Sequence, residues 1–446
     1  MALKTRLNLS DCHYGPVSAK KPREIAAQVL QNHAAGAGRL EDLLEDALAR
    51  GGGLGTPDRA LARELAFGVV RWQATLDWLI ASRTDGRPQK PMLQILLRLG
   101  LYQLFWLDRV PDHAAVHETV ELAKQLGFGP RAGFVNALLR GCGREREALR
   151  LRMETLKARE PHLGYSHPEW LCARWMARWG EERLTELLEW NNTPPRTFAR
   201  VNTLRATPEQ LAAQFDRESV LFTPRLYDWV AGDLVFELRE HPPIASLPSF
   251  QQGLFYIQDP STLLAVSLWD PQPGERLLDL CSAPGGKTTY AAQLMKNQGT
   301  VVAHDTDERR LELVRENAAR LGVTCVEFLP CLVPASVPSF DRLLVDAPCS
   351  NTGVMRRRVE LRWRVQPPEI DRLRLLQLDL LRRSAGWLKS GGVLVYSTCS
   401  IEPSENEEVV RQFVSETPGF HLEIERQLLP FADGVDGAYV AKLRKS

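Results

Sequence analysis

The chain has 446 residues, of which 44% are hydrophobic and 25% charged, a composition that predicts a folded protein of about three domains and excludes collagen, long coiled coils and wholesale disorder. No stretch provides the roughly 18 uncharged apolar residues of a membrane span, and the first fifteen residues lack the apolar core of a secretory signal. With 56 basic and 55 acidic residues the net charge is only +1, so any nucleic-acid partner must be recognised by local clusters of charge. The eight cysteines contain no CxxC pair, which favours a reducing cytoplasmic environment over a disulfide scaffold.

Apolar residues repeat at helical spacing through the first 140 residues, with no strand pattern between them. This periodicity predicts helices over about 40–48, 61–79, 92–107, 114–126 and 131–140. We therefore expect an all-α domain over 20–142, followed by a helical connector over 143–190 that is rich in Arg and Trp. Paired prolines then bracket a small mixed α/β segment over 191–248, with apolar runs at 198–204 and 234–238.

From residue 249 to 446, short apolar runs alternate with amphipathic stretches. The runs 277–280, 301–305, 325–329, 343–345 and 393–396 predict strands, and the stretches near 288–295, 307–322 and 369–388 predict helices. Strands that alternate with helices in this way indicate parallel βαβ units and a Rossmann-like sheet. Ligands of such sheets bind beyond the carboxyl ends of the strands, where we look for the site.

The first strand end carries Gly285 and Gly286, which let the backbone approach a ligand closely. The next strand ends at Asp305, 19 residues after Gly286, a spacing at which a carboxylate can bind ribose hydroxyls. Neither GxGxxG nor GxxxxGK[ST] is present, which disfavours dinucleotides and nucleoside triphosphates. A ribose-binding acid without a phosphate-binding loop suits S-adenosylmethionine (AdoMet), which carries no phosphate. The alternative is that the glycine pair belongs to an ordinary βα turn with no ligand.

Two later strand ends carry Asp346 with Cys349, and Cys399. Carbon 5 of cytosine accepts a methyl group only after a thiolate has added to carbon 6, and cysteine is the side chain best suited to that step. One acid, one attacking thiol and a second thiol for the release step fit these three residues, although the residues alone do not say which thiol attacks. Taken alone, each cysteine is more simply interpreted as an unreactive buried residue of the core. A zinc site is disfavoured because no CxxC or His-rich spacing supports it.

The motifs at these positions resemble the bacterial Fmu/RsmB type of the NOL/NOP/Sun family of RNA cytosine-C5 methyltransferases. The similar segments are CSAPGGKT (281–288), DAPCSNTG (346–353), YSTCS (396–400) and FYIQDPS (255–261). Segments 110–116 and 133–140 resemble the NusB-like helical domain of this bacterial type. The resemblance extends over about 22–445 and implies a NusB-like domain, a small α/β segment and a Rossmann-like AdoMet-dependent methyltransferase domain.

The resemblance also implies roles for individual residues. It makes Cys399 the nucleophile and Cys349 the residue that assists release, with Asp346 beside them and Lys287 facing the target base. It implies an AdoMet site formed by Cys281, Ser282, Ala283, Pro284, Gly285, Gly286, Lys287, Asp305 and Asp346. The implied substrate is one cytosine of 16S ribosomal RNA, naked or in early assembly, which the helical domain and the 191–248 segment help to bind. We expect a cytoplasmic monomer without a metal or a membrane partner.

Nine arginines against four acidic residues make 356–383 strongly basic, and a solvated helix face is the simpler interpretation of such a run. Because the run directly follows the DAPCSNTG motif, we expect it to bind RNA phosphates through Arg356, Arg357, Arg358 and Arg362. Its turn lacks the Pro-Asp that is usual in the family. A second departure is the third strand end, 328–332, where the family carries an aspartate for adenine and this chain has no carboxylate.

Three alternatives remain. A transfer-RNA cytosine-C5 methyltransferase would use the same catalytic residues. A non-catalytic RNA-binding assembly factor is disfavoured because Cys349, Cys399 and Asp346 are all present. A DNA cytosine methyltransferase would use the cysteine of a Pro-Cys pair, here Pro348-Cys349, as its nucleophile.

Overall fold

The computed structural model describes residues 21–51, 53–330 and 340–446. Two compact units divide the chain, one up to Leu184 and the other from Thr185 onward. Within the described residues, every helix is too short or too polar to cross a bilayer.

The first unit is helical throughout its described part. Its helices are α1 (Pro22–Ala34), α2 (Leu40–Arg50), α3 (Thr56–Arg71), α4 (Gln73–Ala81), α5 (Pro91–Trp106), α6 (Asp112–Ala123), α7 (Ala132–Arg144), α8 (Arg146–Arg159), α9 (Pro161–Gly164) and the start of α10 (Glu169–Asn192). Proline occupies the first turn of α1 and α5, where its missing N–H costs no hydrogen bond. Helix α5 is buried along most of its length and forms the centre of the core.

The predicted helical domain is thus confirmed, with two local differences. The stretch predicted as one helix over 61–79 is divided at Trp72, whose φ of −103° and ψ of 20° end α3 and begin α4. The ring of Trp72 lies 5.0 Å from that of Trp106. Helix α10 is likewise interrupted at Gly180, where φ of 78° and ψ of 178° are accessible because glycine has no Cβ.

The second unit begins with a four-stranded antiparallel sheet in the order β2-β3-β1-β4. Its elements are β1 (Thr197–Val201), α11 (Pro208–Arg217), β2 (Leu221–Arg225), β3 (Val235–Glu240), α12 (Pro248–Gln251) and β4 (Phe255–Ile257). The apolar runs predicted at 198–204 and 234–238 form β1 and β3. Strand β2 was not predicted from the sequence because its side chains are half-exposed and it contains Pro224.

A seven-stranded sheet follows, in the order β10-β11-β9-β8-β5-β6-β7. Its elements are α13 (Leu263–Trp269), β5 (Arg276–Asp279), α14 (Gly286–Leu294), β6 (Thr300–His304), α15 (Glu308–Leu321), β7 (Val326–Leu329), β8 (Phe340–Asp346), α16 (Leu361–Arg364), α17 (Pro367–Ala385), β9 (Leu388–Thr398), α18 (Glu407–Glu416), β10 (Phe420–Leu428), α19 (Pro430–Asp433) and β11 (Ala438–Lys445). Strands β5 to β9 pair in parallel, which confirms the predicted Rossmann-like sheet.

The C-terminal hairpin of β10 and β11 is antiparallel and extends the sheet beyond β9. It was absent from the predicted elements because charged residues interrupt its apolar pattern in β10. Buried aliphatic and aromatic side chains cover both faces of the sheet. This packing holds the carboxyl ends of β5, β6, β8 and β9 at one edge, so the predicted site residues share one neighbourhood.

Candidate active site

The loop between β5 and α14 places the glycine pair at the carboxyl edge of the sheet. Gly285 has a φ of +100°, and a Cβ at this position would lie 3.0 Å from Val314 Cγ1. The backbone N–H of Ser282 donates to the carbonyl oxygen of His304 at 2.9 Å, which joins the loop to the end of β6. A side chain larger than glycine would therefore strain both the backbone and its packing.

Asp305 lies directly beside this loop, as the sequence predicted. Its carboxylate is buried, accepts hydrogen bonds from the backbone N–H of Asp307 at 3.1 Å and Ala283 at 3.4 Å, and pairs with Arg310 at 3.3 Å. These contacts fix the carboxylate at the end of the strand next to β5.

A second buried carboxylate, Asp279, ends β5 beneath the same loop. Thr288 Oγ1 donates to its Oδ2 at 2.6 Å, whereas Oδ1 has no hydrogen-bond partner among the described residues. Burial raises the pKa of Asp279 to about 7, and the neighbouring Asp346 contributes in the same direction. Burial thus favours the protonated form of this acid more than it would be favoured in an exposed aspartate.

The two cysteines predicted for catalysis are in contact. The Sγ atoms of Cys349 and Cys399 are 3.3 Å apart, although 50 residues separate them along the chain. The hydrogen bond between them lowers the pKa of Cys399, against the opposing effects of burial and Asp346, and Arg358 and Lys287 add to the lowering. The same hydrogen bond, together with burial, raises the pKa of Cys349 well above its usual value. These surroundings favour a thiolate on Cys399 over one on Cys349.

Asn351 also contacts the sulfur of Cys399. In its thiol form Cys399 donates to Asn351 Oδ1 at 3.0 Å, and in its thiolate form it accepts from Cys349. Asn351 Nδ2 donates to the carbonyl oxygen of Cys349 at 2.6 Å, which orients the amide. Asn351 adopts a left-handed conformation with a φ of 59°, which asparagine tolerates better than most residues.

Lys287 and Asp346 form an ion pair beside the cysteines. Lys287 Nζ lies 2.6 Å from Asp346 Oδ2, and Ser397 Oγ donates to Asp346 Oδ1 at 2.6 Å. Burial alone would lower the pKa of Lys287, but the adjacent Asp346 more than compensates and raises it. The lysine is therefore a fixed cation, and the aspartate accepts a hydrogen bond on each oxygen.

Cys281 occupies the same loop but has a different character. Burial and the surrounding carboxylates, Asp346 first among them, raise the pKa of its thiol. A thiol held protonated is a poor nucleophile, so Cys281 is not a third reactive cysteine.

Two of the four arginines predicted to bind RNA are not available to it. Arg356 is buried and pairs with Asp436 at 2.6 Å and Asp259 at 3.4 Å. Arg362 is buried too, and donates to Asn192 Oδ1 at 2.8 Å and to the carbonyl oxygen of Asn191 at 2.9 Å. The prediction was wrong for both because a cluster of charge in the sequence does not reveal which side chains are enclosed.

The other two arginines differ in exposure. Arg357 is half-buried and pairs with Asp259 at 2.8 Å and with Asp436. Arg358 is exposed, with Nη1 3.4 Å from Oδ1 of Asn351, the residue that contacts Cys399. Arg358 is therefore the residue of this group that is best placed for a phosphate.

The third parallel strand leads into the run 328–332 that lacks a carboxylate. Strand β7 ends at Leu329, and the exposed Pro330 follows it. The next two residues of the acid-free run, Cys331 and Leu332, lie outside the described residues. Nearby, the guanidinium of Arg315 lies 4.5 Å from the centre of the Phe328 ring.

Sequence reasoning missed Arg200, Asn351 and Glu405. Arg200 is fully buried in β1, and its Nη1 donates to the carbonyl oxygen of Gly286 at 2.8 Å, so the small sheet contacts the glycine loop. Glu405 lies behind both cysteines and accepts hydrogen bonds from the residue that follows each of them. An acidic residue shortly after YSTCS was the only signal for Glu405, and no pattern marked Arg200.

The described part of the chain has no group of three or more His, Cys, Asp or Glu side chains arranged to bind a metal ion. The groups that the fold gathers at this edge are the two thiols, the Lys287–Asp346 pair and the glycine loop.

Comparison with known proteins agrees with this arrangement. Residues 266–444 match the family model described as 16S rRNA methyltransferase RsmB/F, residues 20–144 match the NusB family, and residues 167–227 match a ferredoxin-like domain of RsmF/B-like methyltransferases. These matches confirm the NusB-like and methyltransferase parts of the predicted architecture.

Related proteins match over nearly the whole chain. The probable ribosomal RNA small subunit methyltransferase B of Bacillus subtilis is 35% identical, with 95% of this chain and 98% of that protein covered. Ribosomal RNA small subunit methyltransferase B of Klebsiella pneumoniae is 36% identical with the same coverage. The solved structure of a methyltransferase homologue from Pyrococcus horikoshii is 33% identical, covers 64% of this chain and 97% of its own, and has a TM-score of 0.56. The chain belongs to the RsmB/F family of 16S ribosomal RNA methyltransferases.

Proposed function

We propose that this protein methylates carbon 5 of one cytosine in 16S ribosomal RNA, with AdoMet as methyl donor and a covalent bond between Cys399 and carbon 6 of the base. The observation that carries the proposal is the contact between Cys349 and Cys399 beside the Lys287–Asp346 ion pair. The family to which the chain belongs supports ribosomal RNA as the substrate. Because the attack requires access to carbon 6, the target cytosine must leave its stack.

The glycine loop fits AdoMet. Gly285 has a φ of +100° and ends the loop at the start of α14, and the carboxylate of Asp305 lies at the adjacent strand end, as ribose hydroxyls require. The unpartnered Oδ1 of Asp279 offers an acceptor beneath the loop. Residues 281–287, Asp305 and Asp346 would hold the cofactor, which supplies an electrophilic methyl group on a sulfonium ion.

The attack begins at Cys399. Its thiolate adds to carbon 6, and the electron pair of the C5–C6 double bond shifts toward carbon 5 and the ring, which makes carbon 5 nucleophilic. The ring then carries extra electron density at N3. Lys287 can donate a hydrogen bond there, whereas both oxygens of Asp346 act as acceptors. We infer that the pair stabilises the adduct by a hydrogen bond from the Lys287 ammonium group to the ring.

Release requires a base that removes the proton from carbon 5. The thiolate of Cys399 is what most disfavours ionisation of Cys349 in the free enzyme. Once Cys399 is a neutral thioether, that effect is gone, and Cys349 can lose its proton to solvent and act as the base. The bond between Sγ of Cys399 and carbon 6 then breaks as the C5–C6 double bond re-forms. The two thiols thus ionise in turn, which explains why two are needed.

Single substitutions of the cysteines test the assignment. Cys399→Ser should abolish methylation and form no covalent adduct with RNA, because the nucleophile is missing. Cys349→Ser should attack and transfer the methyl group, and then stall as a protein–RNA adduct visible on a denaturing gel. Cys325→Ser, which alters a partly exposed cysteine outside the site, is the matched control and should retain activity. An adduct in the Cys399 variant and none in the Cys349 variant would reverse the roles.

The substrate is tested separately. Bisulfite sequencing of ribosomal and transfer RNA from cells with and without the gene should show one 16S cytosine that loses its methyl group in the deletion strain. Loss of a transfer-RNA signal with intact 16S RNA would instead identify the transfer-RNA alternative.

A further inference from the structure

Glu405 is a fully buried carboxylate that joins the two cysteine loops from behind. It lies in the turn Pro403–Glu405 that follows β9. Its Oε1 accepts from the backbone N–H of Ser350 at 2.8 Å and from Gln377 Nε2 at 3.1 Å, and its Oε2 accepts from Ser400 Oγ at 2.6 Å and from Ser350 Oγ. Ser350 follows Cys349 and Ser400 follows Cys399, so one side chain ties together the residues next to both sulfurs.

Further contacts tie the same loops. Thr352 Oγ1 lies 3.1 Å from Ser400 Oγ and accepts from the backbone N–H of Ile401 at 3.0 Å. The backbone N–H of Gly353 donates to the carbonyl oxygen of Cys399 at 3.0 Å. The separation of the two sulfurs is therefore fixed by a polar network whose centre is Glu405.

The four donors that bind Glu405 within the described residues are all neutral, which makes the choice of residue informative. Burial without a cation raises the pKa of a carboxyl group, and this is the direction found for Glu405. A carboxylate accepts on both oxygens, so it can bind both serines at once, whereas an amide in its place offers only one acceptor atom. A negative charge at this position also disfavours a second one on Cys349, whose pKa it helps to raise.

We propose that Glu405 is a positioning residue that holds Cys349 against Cys399 and keeps their shared proton on Cys349, so that the thiolate forms on Cys399. This inference rests on the proposed function, in which Cys399 attacks. On the other side of the cysteine pair, Lys287 and Arg358 stabilise negative charge on Cys399, which favours the same outcome, and Asp346 opposes it. Tyr396 is a further titratable group and lies on the Cys349 side.

The test is the relative rate at which iodoacetamide alkylates Cys399 and Cys349, measured by peptide mass spectrometry on the full chain at one neutral pH without RNA or AdoMet. In the unmodified protein Cys399 should react first. In Glu405→Gln the preference should fall severalfold, because the charge that disfavours ionisation of Cys349 is removed. Glu405→Asp retains the charge and should restore most of the preference. Glu237→Gln, which alters a buried carboxylate paired with Arg225 in the small sheet, is the matched control and should leave it unchanged.

The outcomes are separable. An unchanged alkylation ratio in folded Glu405→Gln would overturn the role of Glu405. If that variant does not fold, Ser400→Ala removes one contact of Oε2 and retains the carboxylate. It should lower the ratio by a smaller factor, and an unchanged ratio there would overturn the role equally. Because RNA is absent, failure to methylate cytosine would contradict only the proposed function, and an unchanged ratio only this inference.

Discussion

Arg356→Ala should destabilise the fold instead of weakening RNA binding directly. The guanidinium of Arg356 is 1% exposed, pairs with Asp436 and Asp259, and stacks 3.9 Å from the centre of the Trp190 ring. Removing it leaves two buried carboxylates to share Arg357 alone. Burial has already raised the pKa of Asp436 to about 6, so this group is poorly compensated even in the intact cluster.

The magnitude follows from the burial of the cluster. Removing one partner of a buried ion pair costs about 3–5 kcal/mol, and we expect the lower end because Arg357 still reaches both acids. For a domain of this size, each kcal/mol lowers the melting temperature by roughly 2–4 °C, so Arg356→Ala should melt roughly 6–12 °C below the unmodified protein.

Thermal unfolding followed by circular dichroism measures the effect. Arg358→Ala is the matched control in the same loop, and because its side chain is exposed its stability should stay within about 0.5 kcal/mol. Asp436→Asn combined with Arg356→Ala should cost less than the sum of the single changes, since the orphaned charge is removed. An Arg356→Ala protein with unchanged melting and weaker RNA binding would refute the reasoning and make Arg356 an RNA ligand.

Four further outcomes follow from the site. Arg358→Ala should reduce the salt dependence of RNA binding by about one unit of slope if it neutralises one phosphate, and an unchanged slope would exclude that contact. Because folding raises the pKa of Asp279 to about 7, its contribution to stability is complete below about pH 4 and is lost as the pH rises to 7. Relative to Asp279→Asn, the free energy of unfolding should fall by about 1.4 kcal/mol per pH unit in that window. A difference that does not vary with pH would contradict the raised pKa. Hydrogen peroxide should oxidise Cys349 and Cys399 to a disulfide with release of water, and activity should be lost until a thiol reductant is added. If mass spectrometry finds both residues as free thiols after treatment, the contact between them is contradicted. Installing Asp at Pro330 should tighten AdoMet binding up to roughly tenfold in calorimetry if adenine lacks a carboxylate there, whereas weaker binding would indicate a different geometry.

The sequence predicted the large sheet because hydrophobic periodicity reports burial directly. Strands fully covered on both faces give continuous apolar runs, and the predicted strands at 277–280 and 301–305 agree with β5 and β6 to within a residue at each end. The carboxyl ends of parallel strands meet at one edge, so the strand pattern alone was enough to place Asp305, Asp346 and Cys399 together. The local chemistry of the motifs then made that edge the candidate site.

What the sequence did not predict depends on pairings between distant residues. Arg356 and Arg358 stand two positions apart in one basic run, yet the first is enclosed by Asp436, 80 residues later, and the second faces solvent. From the sequence alone both arginines are expected at the surface, because only the fold determines which of them pairs with a buried acid. The same applies to Glu405, whose role depends on the contact between the loops that follow β8 and β9.

The carboxylates of the site differ in what surrounds them, and this difference determines where negative charge can form. Asp305 forms an ion pair with Arg310, and Asp346 forms one with Lys287. Among the described residues, the hydrogen-bond donors to Asp279 and Glu405 are neutral, and burial raises the pKa of both. A thiolate is therefore favoured on Cys399, where Lys287 and Arg358 stabilise negative charge. It is disfavoured on Cys349, where Glu405 opposes negative charge. The order in which the two thiols ionise follows from these charges.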